Sequence, residues 1–311
     1  MTSMKLNSDI CSIISTYIYK PKYILLDWIN INDLDWISLS ANPYAIELLT
    51  ENQDKINWNL LSGNHNAIEL LKVNKDKINW NFLSKNHNAI QLLKENKDKI
   101  NWELLSLNPN AIEILIENQD KINWNNLSLN PNAYELLKAN PDKINYYYLS
   151  SNSSILPLIY KNGDMVNWDT ISYYCNNSKF LRDNINNLNW DNLSANPNAI
   201  ELLKEHLSEG GNNINWVNLS NNSAAIEILK ENPDKINWQY LSMNSNAIEL
   251  LIENQDKIDH IYLNVNTSIN SLKLRKNIDW SYISANEDIF ILKDINETTD
   301  IIKKTLDIIL T

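Results

Sequence analysis

The chain has 311 residues, of which 43% are hydrophobic and 21% are charged, a composition typical of a folded protein. Its formal net charge of −11 argues against duplex nucleic acid or an anionic membrane as a partner, because both are bound through clustered Lys and Arg. The two cysteines, Cys11 and Cys175, are too few and too far apart for a disulfide framework or a zinc site. With no signal peptide and no long apolar run in the sequence, we expect a cytoplasmic protein.

Residues 1–30 do not share the pattern that fills the rest of the chain. Apolar residues at helical spacing predict a helix that ends at Pro21, and residues 23–28 are predicted to begin a second helix. One interpretation is an N-terminal helical cap over the apolar face of the first repeat. The sequence LNSDICSIISTYI, residues 6–18, also resembles the opening of an F-box, a short helical module that docks on a ubiquitin-ligase adaptor. This resemblance implies an alternative function, that of a substrate adaptor for a ubiquitin ligase.

Residues 31–293 repeat one pattern with a period of 22 residues, counted on an aromatic position. In twelve units that position is occupied by Trp36, Trp58, Trp80, Trp102, Trp124, Tyr146, Trp168, Trp190, Trp216, Trp238, His260 and Trp280. Every gap is 22 residues except those of 26 and 20 that end at Trp216 and Trp280, and the turn-rich residues 208–211 account for the longer gap. A fixed period of this length indicates a solenoid, in which each unit buries its apolar side only against its neighbours.

Each unit is predicted to contain two short helices. Asn or Asp always precedes the aromatic position, as Asn57 does, and its side chain can cap the start of the first helix. A second Asn follows six residues after the aromatic position, often with Pro behind it, and predicts the start of the second helix. The recurring Ser, Ser62 in the second unit, is assigned to the end of the first helix. Apolar residues spaced three and four apart give each helix one buried stripe.

The sequence therefore predicts an all-α fold, an elongated right-handed α-solenoid of about twelve 22-residue two-helix repeats with N- and C-terminal helical caps. The caps are residues 1–30 and 294–311, and the repeat array is residues 31–293. The alternative is a β/α horseshoe of the leucine-rich type, whose strands need apolar residues that alternate with polar ones. No steady alternation follows the aromatic position, so we favour the solenoid.

The sequence contains no catalytic or cofactor motif, since it lacks a glycine-rich phosphate loop, a serine elbow and a Cys–His pairing. His65 and His87 take the same position in adjacent units and are expected about 8–10 Å apart, too far to share a zinc ion. His260 replaces Trp at the aromatic position and is expected to be partly buried. We therefore predict a protein that is not an enzyme and needs no metal or cofactor.

The positions that vary between units lie one, two and five residues after the aromatic position, and we call them the variable face. Candidate partner-binding residues on or next to this face are Phe82, Leu104, Tyr147, Tyr148, Tyr173, Tyr174 and Tyr240. Four of them lie within residues 145–189, the most divergent units, which represent either drift at a bend or a tyrosine-rich recognition patch. We expect a monomer that binds a protein partner along the variable face, and neither nucleic acid nor a membrane.

The repeated unit INWxxLSxNPNAIxLLxxNPDK resembles the short repeats abundant in uncharacterised proteins of giant DNA viruses of the mimivirus and phycodnavirus kind. The resemblance covers residues 23–285, and it is weaker in the units that carry Tyr146, Asn177 and His260. It implies an all-α solenoid made in the cytoplasm of an infected host cell and a role in host–virus interaction. It brings no established activity.

Overall fold

The computed structural model describes residues 23–152, 154, 156–160, 165–266, 268 and 279–292. The F-box-like segment, the helix predicted before Pro21 and the C-terminal capping helix 294–311 lie outside these residues. In the described part the chain is mostly helical, and its many short helices pack neighbour to neighbour. This arrangement agrees with the predicted all-α repeat fold and not with a β/α horseshoe.

The first helix of every unit begins at the aromatic position. These first helices are Trp36–Leu39, Trp58–Gly63, Trp80–Lys85, Trp102–Leu105, Trp124–Leu129, Tyr146–Leu149, Trp168–Tyr174, Trp190–Ala195, Trp216–Asn221, Trp238–Met243, His260–Leu263 and Trp280–Ala285. The preceding Asn or Asp caps each of them, as when Asn57 Oδ1 accepts a hydrogen bond of 3.1 Å from the Leu60 amide. This bond satisfies an amide that has no partner inside the helix, so the predicted cap is confirmed.

The second helices begin four residues later than the Asn that predicted them. The described second helices are Ile46–Glu51, Ile68–Val73, Ile90–Lys94, Ile112–Glu117, Tyr134–Ala139, Leu156–Tyr160, Ser178–Asp183, Ile200–Ser208, Ile226–Glu231 and Ile248–Glu253. Ser178–Asp183 differs from the others with a described N-cap, because an Asn, Asn177, caps it directly. In the fourth unit Asn108 caps the 3-10 turn Pro109–Ala111, and the α-helix starts only after it. The Asn–Pro pair therefore begins a turn that leads into the helix, because its side chain bonds an amide only two residues ahead.

Among the described residues, short 3-10 turns precede the first helices of most units. They are Ile31–Asp33, Gln53–Lys55, Lys75–Lys77, Lys97–Lys99, Gln119–Lys121, Pro141–Lys143, Ile185–Asn187, Pro233–Lys235 and Gln255–Lys257. In five cases the Lys that ends such a turn covers the Trp of the preceding unit, as when Lys77 Nζ lies 4.5 Å from the centre of the Trp58 ring. This cation–π contact shields the outer side of a half-buried indole, and sequence analysis did not foresee it.

The four-residue insertion lengthens a second helix instead of forming only a turn. Ile200–Ser208 has nine residues, and Gly210 follows its end with φ +84°, a conformation that favours glycine. The extra helical turn brings His206 onto Trp190, with ring centres 3.8 Å apart. His206 therefore covers this indole where other units use the Lys of the connecting turn.

The core consists of fully buried Leu and Ala columns. In the second unit Leu61, Ala67 and Leu71 have no exposed surface, and equivalent residues recur along the array. A buried Ala precedes most second helices and allows neighbouring helices to approach closely. The aromatic residues pack against the edge of this core and are themselves only partly buried.

Buried Ser and Asn side chains join each unit to the next. Ser62 Oγ donates to the Trp58 carbonyl at 2.7 Å and accepts from the Asn79 amide of the following unit at 2.9 Å. The Asn86 side-chain amide reaches back to the carbonyls of Ser62 and Asn64 at 3.1 and 3.0 Å. The Ser does bond at the end of its own helix, as predicted, but both side chains also hold neighbouring units together.

The first and last described segments meet in a two-stranded antiparallel sheet. Strand β1, Tyr23–Leu25, pairs with strand β2, Phe290–Leu292, so that Tyr23 faces Leu292 and Leu25 faces Phe290. The predicted helix over residues 23–28 is therefore wrong. Its partner strand lies more than 260 residues downstream, and a local pattern of apolar residues cannot reveal such a distant pairing.

The closing contact repeats the bonds that join sequence neighbours. The Asp35 amide donates to Ser284 Oγ at 2.8 Å, and the Asn42 side-chain amide donates to the carbonyls of Ser284 and Asn286 at 3.2 and 2.9 Å. In an elongated rod the first and last of twelve units would lie roughly 100 Å apart at normal helix-packing distances. The predicted elongated shape is therefore wrong, because the two ends are bonded to each other.

Candidate functional site

The variable face lies on the solvent side of the first helices. The residue that follows the aromatic position is exposed in every unit, including apolar and aromatic residues. Ile261 is 78% exposed, Tyr147 is 61% exposed and Ile37 is 57% exposed. Exposed apolar side chains therefore recur at equivalent positions of separate units.

Adjacent units bring their variable-face residues into contact. Tyr240 and Tyr262, each two residues after its aromatic position, have ring centres 5.7 Å apart. A Cβ atom on Gly63, five residues after Trp58, would lie 3.9 Å from the Cβ of Phe82 in the next unit. Consecutive units therefore extend the same surface.

Most adjacent first helices pack tightly side by side, whereas the described second helices make far fewer backbone contacts with each other. Closer spacing on one side of each unit curves an array towards that side. The variable face therefore lies on the concave side. A concave surface can surround a partner with side chains from several units at once.

The variable face carries little charge. Only Lys85, Glu103, Asp169 and Asp191 are charged among its positions. In contrast, the second helices carry exposed ion pairs, such as Glu69–Lys72 at 2.8 Å and Glu135–Lys138 at 3.9 Å. These exposed pairs contribute little to stability, and they leave the concave side comparatively neutral.

The predicted partner-binding residues all lie on first helices, with different exposure. Tyr147 and Tyr148 meet edge to face with ring centres 5.5 Å apart. Tyr173 and Tyr174, on the following first helix, have ring centres 4.6 Å apart. All four tyrosines are exposed, so the divergent units present two aromatic pairs on neighbouring helices.

The remaining predicted residues are more dispersed. Phe82 is exposed, whereas Leu104 and Tyr240 are half-buried. Tyr240 contacts Tyr262, which sequence analysis did not single out although it occupies the same position one unit later. Other exposed apolar residues of the variable face that were not singled out are Ile37, Val217, Ile261 and Tyr282. The repeat numbering would have identified all of them.

The histidines are arranged differently from expectation. His65 and His87 stack with ring centres 5.2 Å apart, so the expected separation of 8–10 Å is wrong for these rings. Their side chains extend towards each other from adjacent units. Among the described residues no group of three or more His, Cys, Asp or Glu could hold a metal ion. His260 is half-buried as predicted, and its Nδ1 atom is buried without a hydrogen-bond partner.

Cys175 is a buried thiol that lies close to the tyrosine pairs in sequence. It is 2% exposed, and burial raises the pKa of its thiol. Its Sγ lies 3.8 Å from the Asn177 carbonyl, and a raised pKa disfavours the thiolate that a nucleophile requires. This geometry assigns Cys175 to the core.

Comparison with known proteins does not identify this chain. No protein-family model matches it, and no curated protein and no solved structure matches it either. The resemblance to giant-virus repeats therefore stays a prediction. Within the described residues, no helix combines the length and the apolar character needed to cross a membrane.

Proposed function

We propose that the chain is a closed ring of twelve repeat units, most of them with two helices, that acts as a non-enzymatic interaction scaffold and binds a protein partner on its variable face. One observation carries the proposal: a charge-poor surface with exposed aromatic residues continues from unit to unit on the concave side. The bonds of Asp35 and Asn42 to the last unit support the closed form. In a giant-virus setting the partner would be a protein of the host cytoplasm.

The composition of the variable face favours protein over nucleic acid. The cores of protein interfaces are depleted in charged residues and enriched in aromatic ones, and tyrosine combines a large apolar area with a polar tip. Tyr147 and Tyr174, at 61% and 56% exposure, have these properties and lie on neighbouring first helices. A nucleic-acid surface would instead need clustered Lys and Arg, and Lys85 is the one basic residue of the face.

Site-specific photo-crosslinking tests the proposal. A photoreactive amino acid replaces Tyr147 in one variant and Tyr174 in another, and crosslinked proteins are identified by mass spectrometry in the cells that produce the protein. The control variant carries the photoreactive residue at Val73, which is 78% exposed but lies on a second helix. We expect one protein to crosslink from Tyr147 and Tyr174 and not from Val73. Equal crosslinking at all three positions would refute the assignment of the binding surface.

A tyrosine-to-serine variant supplies the second arm of this test. Replacing both Tyr147 and Tyr173 with Ser removes two exposed rings from the variable face, and neither ring belongs to the buried core. Hot-spot aromatic residues each account for a 30-fold or larger loss of affinity, by the usual threshold of about 2 kcal/mol. We expect the crosslinked protein to be lost while the unfolding midpoint in urea stays close to that of the parent chain.

A further inference from the structure

The contact between the last and the first unit uses the same hydrogen bonds as most contacts between sequence neighbours. Within the chain, the Asn57 amide bonds Ser40 Oγ at 2.9 Å, and the Asn64 side-chain amide bonds the carbonyl of Asn42 at 3.0 Å. At the closing contact the corresponding distances are 2.8 Å and 2.9 Å. The first helices Trp36–Leu39 and Trp280–Ala285 also pack as closely as consecutive first helices do. The last unit therefore presents the surface that the first unit requires.

Additional bonds occur here that the internal contacts do not have. Strand β1 pairs with strand β2, and the Leu26 amide donates to the Ile289 carbonyl at 2.9 Å. Tyr23 stacks on Tyr44 with ring centres 4.1 Å apart, and the neighbouring Glu287 carboxylate raises the pKa of Tyr44. These interactions hold together two ends that no connecting turn links.

The two halves of the closing contact are different surfaces, so the contact is heterologous. A heterologous contact can form within one chain or between two copies, and exchange between copies is a common route to dimers. We infer that the last unit of one chain packs on the first unit of a second copy through these same bonds when the protein folds at high concentration, and closes on its own first unit when the protein is dilute. The occupant of the opened contact is therefore a second copy of this chain.

Concentration decides between the two forms. Exchange with a second chain competes with closure within one chain. The two ends of one chain meet at an effective concentration on the order of millimolar, so exchange requires chain concentrations of that order during folding. A ring of twelve units turns by about 30° at each contact, whereas a ring formed by two chains would turn by about 15° at each of its contacts. This change in curvature favours the closed monomer once the chain has folded, so exchanged dimers form during folding and persist only if they reopen slowly.

An engineered disulfide reports directly which two units meet. Ser38 and Ala285 occupy, at the closing contact, the positions of Phe82 and Gly63 at an internal contact. A Cβ on Gly63 would lie 3.9 Å from the Phe82 Cβ, within the range of about 3.5–4.5 Å for a disulfide. The test variant carries Ser38→Cys and Ala285→Cys, and the control variant carries Gly63→Cys and Phe82→Cys.

Both variants are made in a full-length chain in which the natural Cys11 and Cys175 are replaced by Ser and Ala. Each is unfolded, refolded and oxidised at about 1 µM and at about 1 mM, below and at the expected effective concentration. Non-reducing gels, peptide mapping and light scattering then assign each disulfide to one chain or to two. We expect the 38–285 disulfide only within monomers at the lower concentration, and a substantial share of it between chains at the higher one. The control disulfide should form within one chain at both concentrations.

Each other result overturns part of the inference. A 38–285 disulfide that stays within one chain at both concentrations would refute exchange between copies. A chain that forms the control disulfide but never the 38–285 disulfide would refute closure itself. The second outcome would leave the variable face and its proposed partner untouched, because the internal contacts build that surface.

Discussion

A buried serine at the end of a first helix allows the stability of the closing contact to be compared with that of an internal contact. Ser84 Oγ donates to the Trp80 carbonyl at 2.7 Å and accepts from the Asn101 amide of the next unit at 3.0 Å. Ser284 is equally buried and accepts from the Asp35 amide at 2.8 Å. Replacing either serine with Ala therefore removes the acceptor of an amide that belongs to another unit.

The expected cost follows from the group left behind. A part-buried amide without an acceptor costs about 1–3 kcal/mol, so Ser84→Ala and Ser284→Ala should each lower the free energy of unfolding by about that amount. The measurement is urea unfolding followed by tryptophan fluorescence, since the indoles lie at the edge of the core. Ser223→Ala is the control, because Ser223 is exposed and its replacement should change stability by less than about 0.5 kcal/mol.

The comparison of the two variants is sharper than either value alone. If the first and last units were apart in solution, water would satisfy the Asp35 amide in the folded protein as well. Ser284→Ala would then cost no more than Ser223→Ala, while Ser84→Ala kept its full effect. That result would refute the closed ring and leave the internal interfaces intact.

Three further predictions concern the buried Asn, the buried thiol and the N-terminal strand. Asn86→Asp should destabilise the protein by about 3 kcal/mol or more at pH 7, because the new carboxylate would face two carbonyl oxygens. Near pH 4 the loss should be smaller, because the protonated acid can donate a hydrogen bond to one of them. Urea unfolding at both pH values measures the difference. In a chain with Cys11→Ser, Cys175 should resist iodoacetamide at pH 8 until urea unfolds the protein, since its burial and its raised pKa both disfavour reaction. Rapid labelling of the folded protein would contradict a buried Cys175. Deletion of residues 1–25 should lower the unfolding midpoint more than deletion of residues 1–22, which leaves strand β1 in place; equal midpoints would show that the strand pairing contributes nothing.

The features that sequence analysis predicted correctly depend on neighbours along the chain. Asn57 caps a helix through an amide three residues ahead, and the aromatic position marks where that helix starts. Both belong to a pattern repeated twelve times, so errors in single units average out. The exposure of the residue after each aromatic position follows from the same repeat, and Tyr262 takes the same repeat position as Tyr240.

The features that sequence analysis missed depend on partners far along the chain. The side-chain nitrogen of Asn64 donates to carbonyls 22 and 24 residues earlier. The predicted helix cap involves only its side-chain oxygen, which accepts from the Asn66 amide. Strand β1 needs β2, and neither Tyr23 nor Phe290 carries a local sign of the other. A 22-residue period fixes which groups meet between neighbours, but the shape of the whole array depends on the small rotation at each contact. The sequence does not specify that rotation, so the repeat alone could not predict that the two ends meet.

Closure changes what the terminal segments have to do. An open solenoid exposes the apolar edge of its end units and needs capping segments for solubility, which was the basis for assigning residues 1–30 and 294–311 as caps. An open end would expose Ser284 and Asn42. Here Ser284 accepts hydrogen bonds from the first unit, Asn42 donates to the last unit, and helix Trp36–Leu39 packs against helix Trp280–Ala285. We therefore expect that the array folds without residues 1–22 as a cap. Their resemblance to an F-box is then testable without disturbing the array, because a truncation at residue 22 removes the resemblance and keeps strand β1. Recovery of a ligase adaptor with the full chain but not with the truncated one would support the alternative function, and recovery with neither would remove it.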